Sequence, residues 1–224
     1  MTEKKTVTTT TTTVVTTTTE KPSEVIVICD RSGSMASASE QMQAGLDSFI
    51  NEMKGMKEEG ATCRFVRFDN EYDEFYSGVL DDAPPFELIP RGSTALYDAI
   101  GRTLAHVKSD RRRMVLIVTD GWENASVEFN REAVTRLLDR LDKDPNWVVT
   151  FLGSDIDAIK EGADIGIRGT QSITFNKHNA MAVGAVMSVV AEKSTAFRAG
   201  TLASTDYSYT DEERTSANTD STNG

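Results

Sequence analysis

The chain has 224 residues, a length that suits one α/β domain with short non-globular ends. Its formal net charge of −11 argues against a nucleic-acid binder and against attachment to an anionic membrane surface, and it favours the binding of cations. No stretch approaches the ~20 apolar residues of a membrane span, and the polar N-terminus lacks a signal-peptide core. We therefore expect a cytoplasmic protein.

The N-terminal region is of low complexity. From residue 6 to residue 19 the chain is threonine interrupted only by Val7, Val14 and Val15. Low complexity is typical of disorder, whereas β-branched residues favour extended structure once a partner strand is available, and both interpretations stay open. We assign residues 1–22 to a Thr-rich arm, because Pro22 breaks the chain before the first predicted strand.

The first predicted strand leads directly into polar residues. Residues 25–28 are four consecutive β-branched apolar residues, as expected of a central strand covered on both faces by helices. Asp30, Ser32 and Ser34 follow at the carboxyl end of this strand, where α/β sheets bind their ligands. An oxygen-only set of one carboxylate and two hydroxyls suits Mg²⁺ better than zinc. The same pattern alone is also typical of a turn with helix-capping serines.

The next elements alternate between helix and strand. Ser37 and Glu40 predict a capping box for a first helix, whose apolar spacing lasts until Gly60. Residues 61–69 and 72–76 predict a hairpin whose second strand is an antiparallel edge strand. Residues 94–107 predict an amphipathic second helix.

The second half of the chain continues this alternation. Residues 115–118 predict another buried strand, which ends at Asp120; Asn130 predicts a helix cap; residues 147–152 and 172–175 predict further strands. A last long helix is expected over 176–194. We therefore place one domain at residues 23–195 and a polar C-terminal tail at 196–224, with a short helix at 211–217 because Thr210 and Glu213 form a capping box.

The order of these elements predicts an α/β fold. We expect a doubly wound, mostly parallel six-stranded sheet with one antiparallel edge strand and helices on both faces. Cys29 lies near the end of the first predicted strand and Cys63 near the start of the next; if these strands run parallel, an offset of about four residues places the two thiols too far apart for a disulfide.

The site motif resembles a known family. Asp30-x-Ser32-x-Ser34 after a buried first strand is similar to the metal-ion-dependent adhesion site of von Willebrand factor type A (vWA) domains. The resemblance implies a Rossmann-like fold and two further metal ligands, a threonine that opens a helix and an aspartate at a later strand end, which Thr94 and Asp120 supply. It covers roughly residues 24–194, and its motifs look most like a bacterial and phage subgroup, some members of which are thought to work beside an AAA+ ATPase.

Enzyme interpretations fit the motifs less well. A haloacid-dehalogenase-type phosphatase would need an aspartate at Ser32, and neither G-x-S-x-G nor a P-loop is present. Arg31 and Arg91, which flank the predicted metal ligands, are expected to pair with Asp98 or Glu123; the alternative is that they contact an acidic ligand.

The sequence thus predicts a non-enzymatic protein-interaction module. The resemblance implies that Mg²⁺ (or Mn²⁺) bound by Asp30, Ser32, Ser34, Thr94 and Asp120 bridges to an Asp or Glu of a protein partner. The alternative is a structural or assembly protein that forms homo-oligomers through residues 6–19, and it would be virion-associated if phage-encoded.

Overall fold

A single sheet organises the molecule. The computed structural model describes residues 21–108, 110–154 and 157–218. Six strands lie in the order β3-β2-β1-β4-β5-β6. They are β1 (Glu24–Asp30), β2 (Thr62–Phe68), β3 (Tyr72–Val79), β4 (Arg113–Thr119), β5 (Trp147–Ser154) and β6 (Ser172–Phe175). All neighbours are parallel except β2 and β3, so the predicted sheet and its antiparallel edge strand are confirmed.

Helices cover both faces of the sheet. They are α1 (Ser39–Gly55), α2 (Leu96–Leu104), α3 (Arg131–Asp142), α4 (Ala158–Asp164), α5 (Ala180–Arg198) and α6 (Asp211–Ala217). In β1, Val25 and Val27 face the core beneath α1 and α5, whereas Ile26 and Ile28 face the core beneath α2 and α3. Every residue of β1 is buried, which explains why its apolar residues do not alternate with polar ones.

Two of the three predicted helix caps are confirmed. Asn130 accepts a hydrogen bond from the Ala133 amide at 2.9 Å, and Thr210 forms a capping box with Glu213. The capping box predicted at Ser37 is wrong. Ser37 lies inside a 3₁₀ helix (Gly33–Ala38), and α1 begins after Ala38, which has no side-chain cap. This 3₁₀ helix directly follows Ser32 and contains Ser34.

The chain after α5 contributes to the core. α5 extends to Arg198, beyond the predicted domain end at residue 195. In the polar segment that follows, Tyr207 is 0% exposed and Tyr209 6% exposed, with their rings 5.9 Å apart. The Tyr209 hydroxyl lies 2.5 Å from Thr150 Oγ1 on β5. Most residues of this segment are polar, and a few large buried side chains, including Tyr207 and Tyr209, attach it to the core.

α5 has the length and composition of a membrane span, with a mean hydropathy of 1.2. Within the part of the chain that the structure describes, it is the one helix with these properties. Its buried residues include Val183 and Met187, which pack against Gly45 of α1 so closely that a β-carbon on Gly45 would lie 2.7 Å from Val183 Cγ1. The apolar side chains of α5 therefore pack in the core of this domain.

The structure tests the predicted absence of a disulfide but not the predicted self-association segment. Cys29 and Cys63 are buried free thiols, and Cys63 pairs with Val25 rather than with Cys29, as expected. The predicted self-association segment, residues 6–19, lies outside the described residues, as does the Thr-rich arm apart from Lys21 and Pro22.

Candidate metal centre

Three loops meet at the carboxyl end of the sheet. Asp30 is the last residue of β1, Ser32 and Ser34 follow it, Thr94 precedes α2, and Asp120 follows β4. The exposed fractions are 0% for Asp30, 2% for Ser32, 2% for Thr94 and 5% for Asp120, whereas Ser34 is exposed. The cluster is therefore buried on the side of the sheet and open to solvent at Ser34.

Four of the five predicted ligands are linked by hydrogen bonds, and Thr94 lies beside them. The Ser32 and Ser34 hydroxyl oxygens are 3.0 Å apart, and Ser34 Oγ donates to Asp120 Oδ1 at 2.6 Å. A β-carbon placed on Gly121 would lie 3.1 Å from Thr94 Oγ1, 3.7 Å from Ser34 Oγ and 4.0 Å from Asp30 Oδ2. Oxygens from all three loops thus converge beside Gly121, where the absence of a side chain leaves them room.

Two neighbouring side chains were missed by sequence reasoning. Thr119, the last residue of β4, donates from Oγ1 to Asp30 Oδ2 at 2.7 Å. Lys177, which follows β6, donates from Nζ to Asp120 Oδ2 at 2.5 Å and to the Ser34 carbonyl at 3.3 Å. Both lie at the carboxyl end of a predicted strand, and that position is the signal that could have found them.

The predicted partners of the two arginines at the site are wrong. Arg31 Nε lies 2.9 Å and Arg91 Nε 2.7 Å from Asp69 Oδ2, a buried carboxylate after β2. Neither arginine pairs with Asp98 or Glu123. Both of these carboxylates instead accept hydrogen bonds from backbone amides of the loop after β4. Asp69 therefore ties the loop after β1 to the loop before α2.

Backbone contacts fix Thr94 in the same way. The Thr94 amide donates to Asn124 Oδ1 at 3.0 Å, and the Asn124 amide donates back to the Thr94 carbonyl at 3.0 Å. Gly92 has a φ of +67°, a left-handed conformation that favours glycine, and its carbonyl accepts from the Gly33 amide at 3.1 Å. The three loops are thus joined to one another independently of any ligand.

Burial strongly affects the Asp30 carboxyl group. Loss of hydration raises the pKa of Asp30 to about 6, and nearby Asp120 adds to this rise. Hydrogen bonds from Thr119 and Ser32 lower the pKa but do not offset burial. A cation at the cluster would reverse this effect, since an opposite charge favours the ionised carboxylate.

The donor set fits a hard divalent cation. Octahedral Mg²⁺ with bonds of about 2.0–2.1 Å places adjacent oxygens about 2.9 Å apart, close to the 3.0 Å between Ser32 Oγ and Ser34 Oγ. In the described part of the chain, no three His, Cys, Asp or Glu residues form a metal-binding group. Any metal at this cluster would therefore depend on the hydroxyls as well as on the two carboxylates.

An exposed tryptophan lies close to the cluster in the chain, and a large cavity lies at the opposite end of the sheet. Trp122, two residues beyond Asp120, is 51% exposed, with Lys160 Nζ 5.7 Å from its ring centre. A cavity of about 540 Å³ lies instead at the amino end of the strands, where Glu24 and Asp110 both pair with Arg113. Its acidic groups are thus already neutralised, which makes it a poor cation site.

Solved structures show which fold this is. The chain is similar to the pilus adhesin SpaC of Lactobacillus rhamnosus GG, with a TM-score of 0.58, 16% identity and coverage of 78% of this chain and 31% of that one. It is also similar to the ArnB paralog VWA2 of Sulfolobus acidocaldarius, with a TM-score of 0.52, 17% identity and coverage of 76% and 44%. The fold is vWA-like.

A further similar structure is proximal thread matrix protein 1 of the mussel byssus, with a TM-score of 0.56, 15% identity and coverage of 77% of this chain and 48% of that one. The vWA-like chain thus spans less than half the length of these three structures. No protein-family model and no curated protein sequence matches it.

Proposed function

We propose that this vWA-like domain is a metal-dependent protein-interaction module without catalytic activity. Asp30, Ser32, Ser34, Thr94 and Asp120 would hold one Mg²⁺ or Mn²⁺, and the partner would present an Asp or Glu to it. The observation that carries the proposal is the convergence of hydroxyl and carboxylate oxygens from three loops beside Gly121, at the edge of the sheet where α/β folds bind ligands.

The chemistry of the donors favours an external carboxylate. Three of the five proposed ligands are neutral hydroxyls, so only the two carboxylates offset the charge of a divalent ion. When bound, the ion would supply an electrophilic position that an acidic side chain can fill. Ser34 is the exposed member of the cluster, which places that position on the solvent side.

The surface near the cluster has features of a protein-binding site. Trp122, two residues beyond Asp120, is 51% exposed. Exposed tryptophan is enriched among the residues that dominate binding energy at interfaces. The similar folds of a protein named as a pilus adhesin and of the PilB minor pilin of Streptococcus sanguinis are consistent with such a role.

A second candidate function is self-assembly through the Thr-rich arm. β3 forms one edge of the sheet, and among the described strands it pairs only with β2. An extended segment can add to such an edge through backbone hydrogen bonds. The bacterial and phage resemblance of the motifs fits an assembly role of this kind.

Thermal unfolding with and without metal tests the metal site. A hundredfold excess of ion over its Kd stabilises the folded state by about 2.7 kcal/mol, roughly 5–10 °C for a domain of this size. Thr94→Val removes the hydroxyl with little change in shape and should abolish the shift. The matched control is Thr103→Val, which removes another buried hydroxyl in α2, one that donates to the Ala99 carbonyl.

The outcome is read from the two variants together. Thr103→Val should be less stable in EDTA but should keep the metal-induced shift. A full shift in Thr94→Val would place the metal elsewhere. For a captured partner, binding should be lost in EDTA and on replacing its contacting acid; binding that survives both changes would contradict the proposed mechanism.

A further inference from the structure

A buried lysine lies at the proposed metal centre. Lys177 is 4% exposed, and its Nζ lies 2.5 Å from Asp120 Oδ2, whose side chain is fully buried. The same ammonium donates to the Ser34 carbonyl at 3.3 Å. The Lys177 amide donates to Ser154 Oγ at 3.3 Å, which fixes the chain at the end of β6.

The two oxygens of the Asp120 carboxylate accept hydrogen bonds from different groups. Oδ1 accepts from Ser34 Oγ, on the side of the converging hydroxyls, and Oδ2 accepts from Lys177. A divalent ion near Ser34 and the ammonium would therefore lie on opposite sides of one carboxylate. Both can be held at once, but two positive charges a few ångströms apart in a buried site repel each other.

We propose that Lys177 is a resident cation of this site and that it sets the affinity for the divalent ion. Without the ion, it neutralises Asp120 and holds the loops after β1 and β4 to the end of β6. With the ion, its charge weakens metal binding and leaves the two-carboxylate site with a net charge of +1 rather than 0. This inference rests on the proposed function and deepens it, because the surplus charge favours an acidic partner.

The test is a Mn²⁺ titration followed by the electron paramagnetic resonance signal of the free ion. Lys177→Met removes the charge but keeps a chain of similar length, and Lys177→Arg keeps the charge. Lys193→Met is the matched control, because Lys193 is a partly buried lysine paired with Glu213 at 2.9 Å and belongs to α5, away from the cluster. We expect the Kd for Mn²⁺ to fall about tenfold or more in Lys177→Met and to stay near the wild-type value in the other two variants.

A second measurement covers the structural part of the inference. In EDTA, Lys177→Met should melt below the wild type, because Asp120 then stays buried without its partner. If Lys177→Met does not fold, Lys177→Gln, which can still donate to Asp120, takes its place in the titration. The expected result is the same tightening.

The outcomes separate this inference from the proposed function. An unchanged or higher Kd in Lys177→Met, with wild-type binding that Thr94→Val abolishes, would overturn the role of Lys177 and leave the metal centre standing. If neither the wild type nor Lys177→Met binds Mn²⁺, both ideas fail. Binding by Lys177→Met alone would support the inference, since it would show that the lysine suppresses metal uptake.

Discussion

Asp30→Asn removes a buried charge at the proposed metal centre while keeping the shape of the side chain. The side-chain carbonyl of the introduced asparagine can still accept from the Ser32 amide, which donates to Asp30 Oδ1 at 2.6 Å. The new amide nitrogen would donate to Thr119 Oγ1, whose hydroxyl can turn to the Gly121 carbonyl at 3.1 Å. The substitution therefore changes charge with little loss of hydrogen bonding.

The magnitude follows from the pKa of Asp30. Burial raises this pKa from 3.8 to about 6 in the folded protein. The carboxyl group thus contributes most to stability below pH 4, and this contribution is lost as the pH rises through about 6. Above that pH, the ionised carboxylate costs about 3 kcal/mol of folding free energy without metal. Asp30→Asn should recover this energy, which corresponds to roughly 6–12 °C in Tm.

The assay is thermal unfolding of both proteins between pH 5 and pH 8. In EDTA at pH 8, Asp30→Asn should melt above the wild type, and the difference should shrink toward pH 5. Adding Mg²⁺ at pH 8 should raise the Tm of the wild type but not that of the variant. Asp139→Asn, an exposed position on α3, is the control and should change neither value. A variant that melts no higher than the wild type at pH 8 in EDTA would refute burial as the cause.

Three further outcomes are expected. Gly121→Val would place carbon atoms beside Thr94 Oγ1, so the Mn²⁺-induced rise in Tm should disappear; a retained rise would show that the converging oxygens are not the ligands. Truncation after residue 198 removes the buried Tyr207 and Tyr209, each worth about 3–5 kcal/mol, and should abolish cooperative unfolding followed by circular dichroism, whereas a wild-type Tm would contradict their role. Deletion of residues 6–19 should convert a concentration-dependent oligomer to a monomer on size-exclusion chromatography; monomers in both cases would exclude assembly through the arm.

Features determined by neighbouring residues were predictable from the sequence. The strands β1 and β4 are runs of β-branched and aliphatic residues that can only be buried, and the caps at Asn130 and Thr210 depend on residues three positions away. The carboxyl ends of parallel strands meet at one edge of a sheet. Placing Asp30 and Asp120 in one cluster therefore required only the strand assignment and the family resemblance.

Features that depend on a distant partner were not predictable in this way. Arg31 and Arg91 had several acidic residues within reach, and the choice of Asp69 follows from where the loops after β1 and β2 meet. Lys177 is 57 residues from Asp120 in the chain, and only the order of β4, β5 and β6 in the sheet brings them together. Ser37 satisfied a local capping pattern but lies in a 3₁₀ helix.

The most direct test of the metal centre is anomalous X-ray scattering from crystals of the domain soaked in Mn²⁺. We expect one strong peak bounded by Ser32 Oγ, Ser34 Oγ and Thr94 Oγ1, at about 2.0–2.3 Å from the oxygens that bind it directly. The same peak should be absent from crystals of Thr94→Val. A peak at another position, or no peak at Mn²⁺ concentrations that raise the Tm, would contradict the proposed metal-dependent adhesion site.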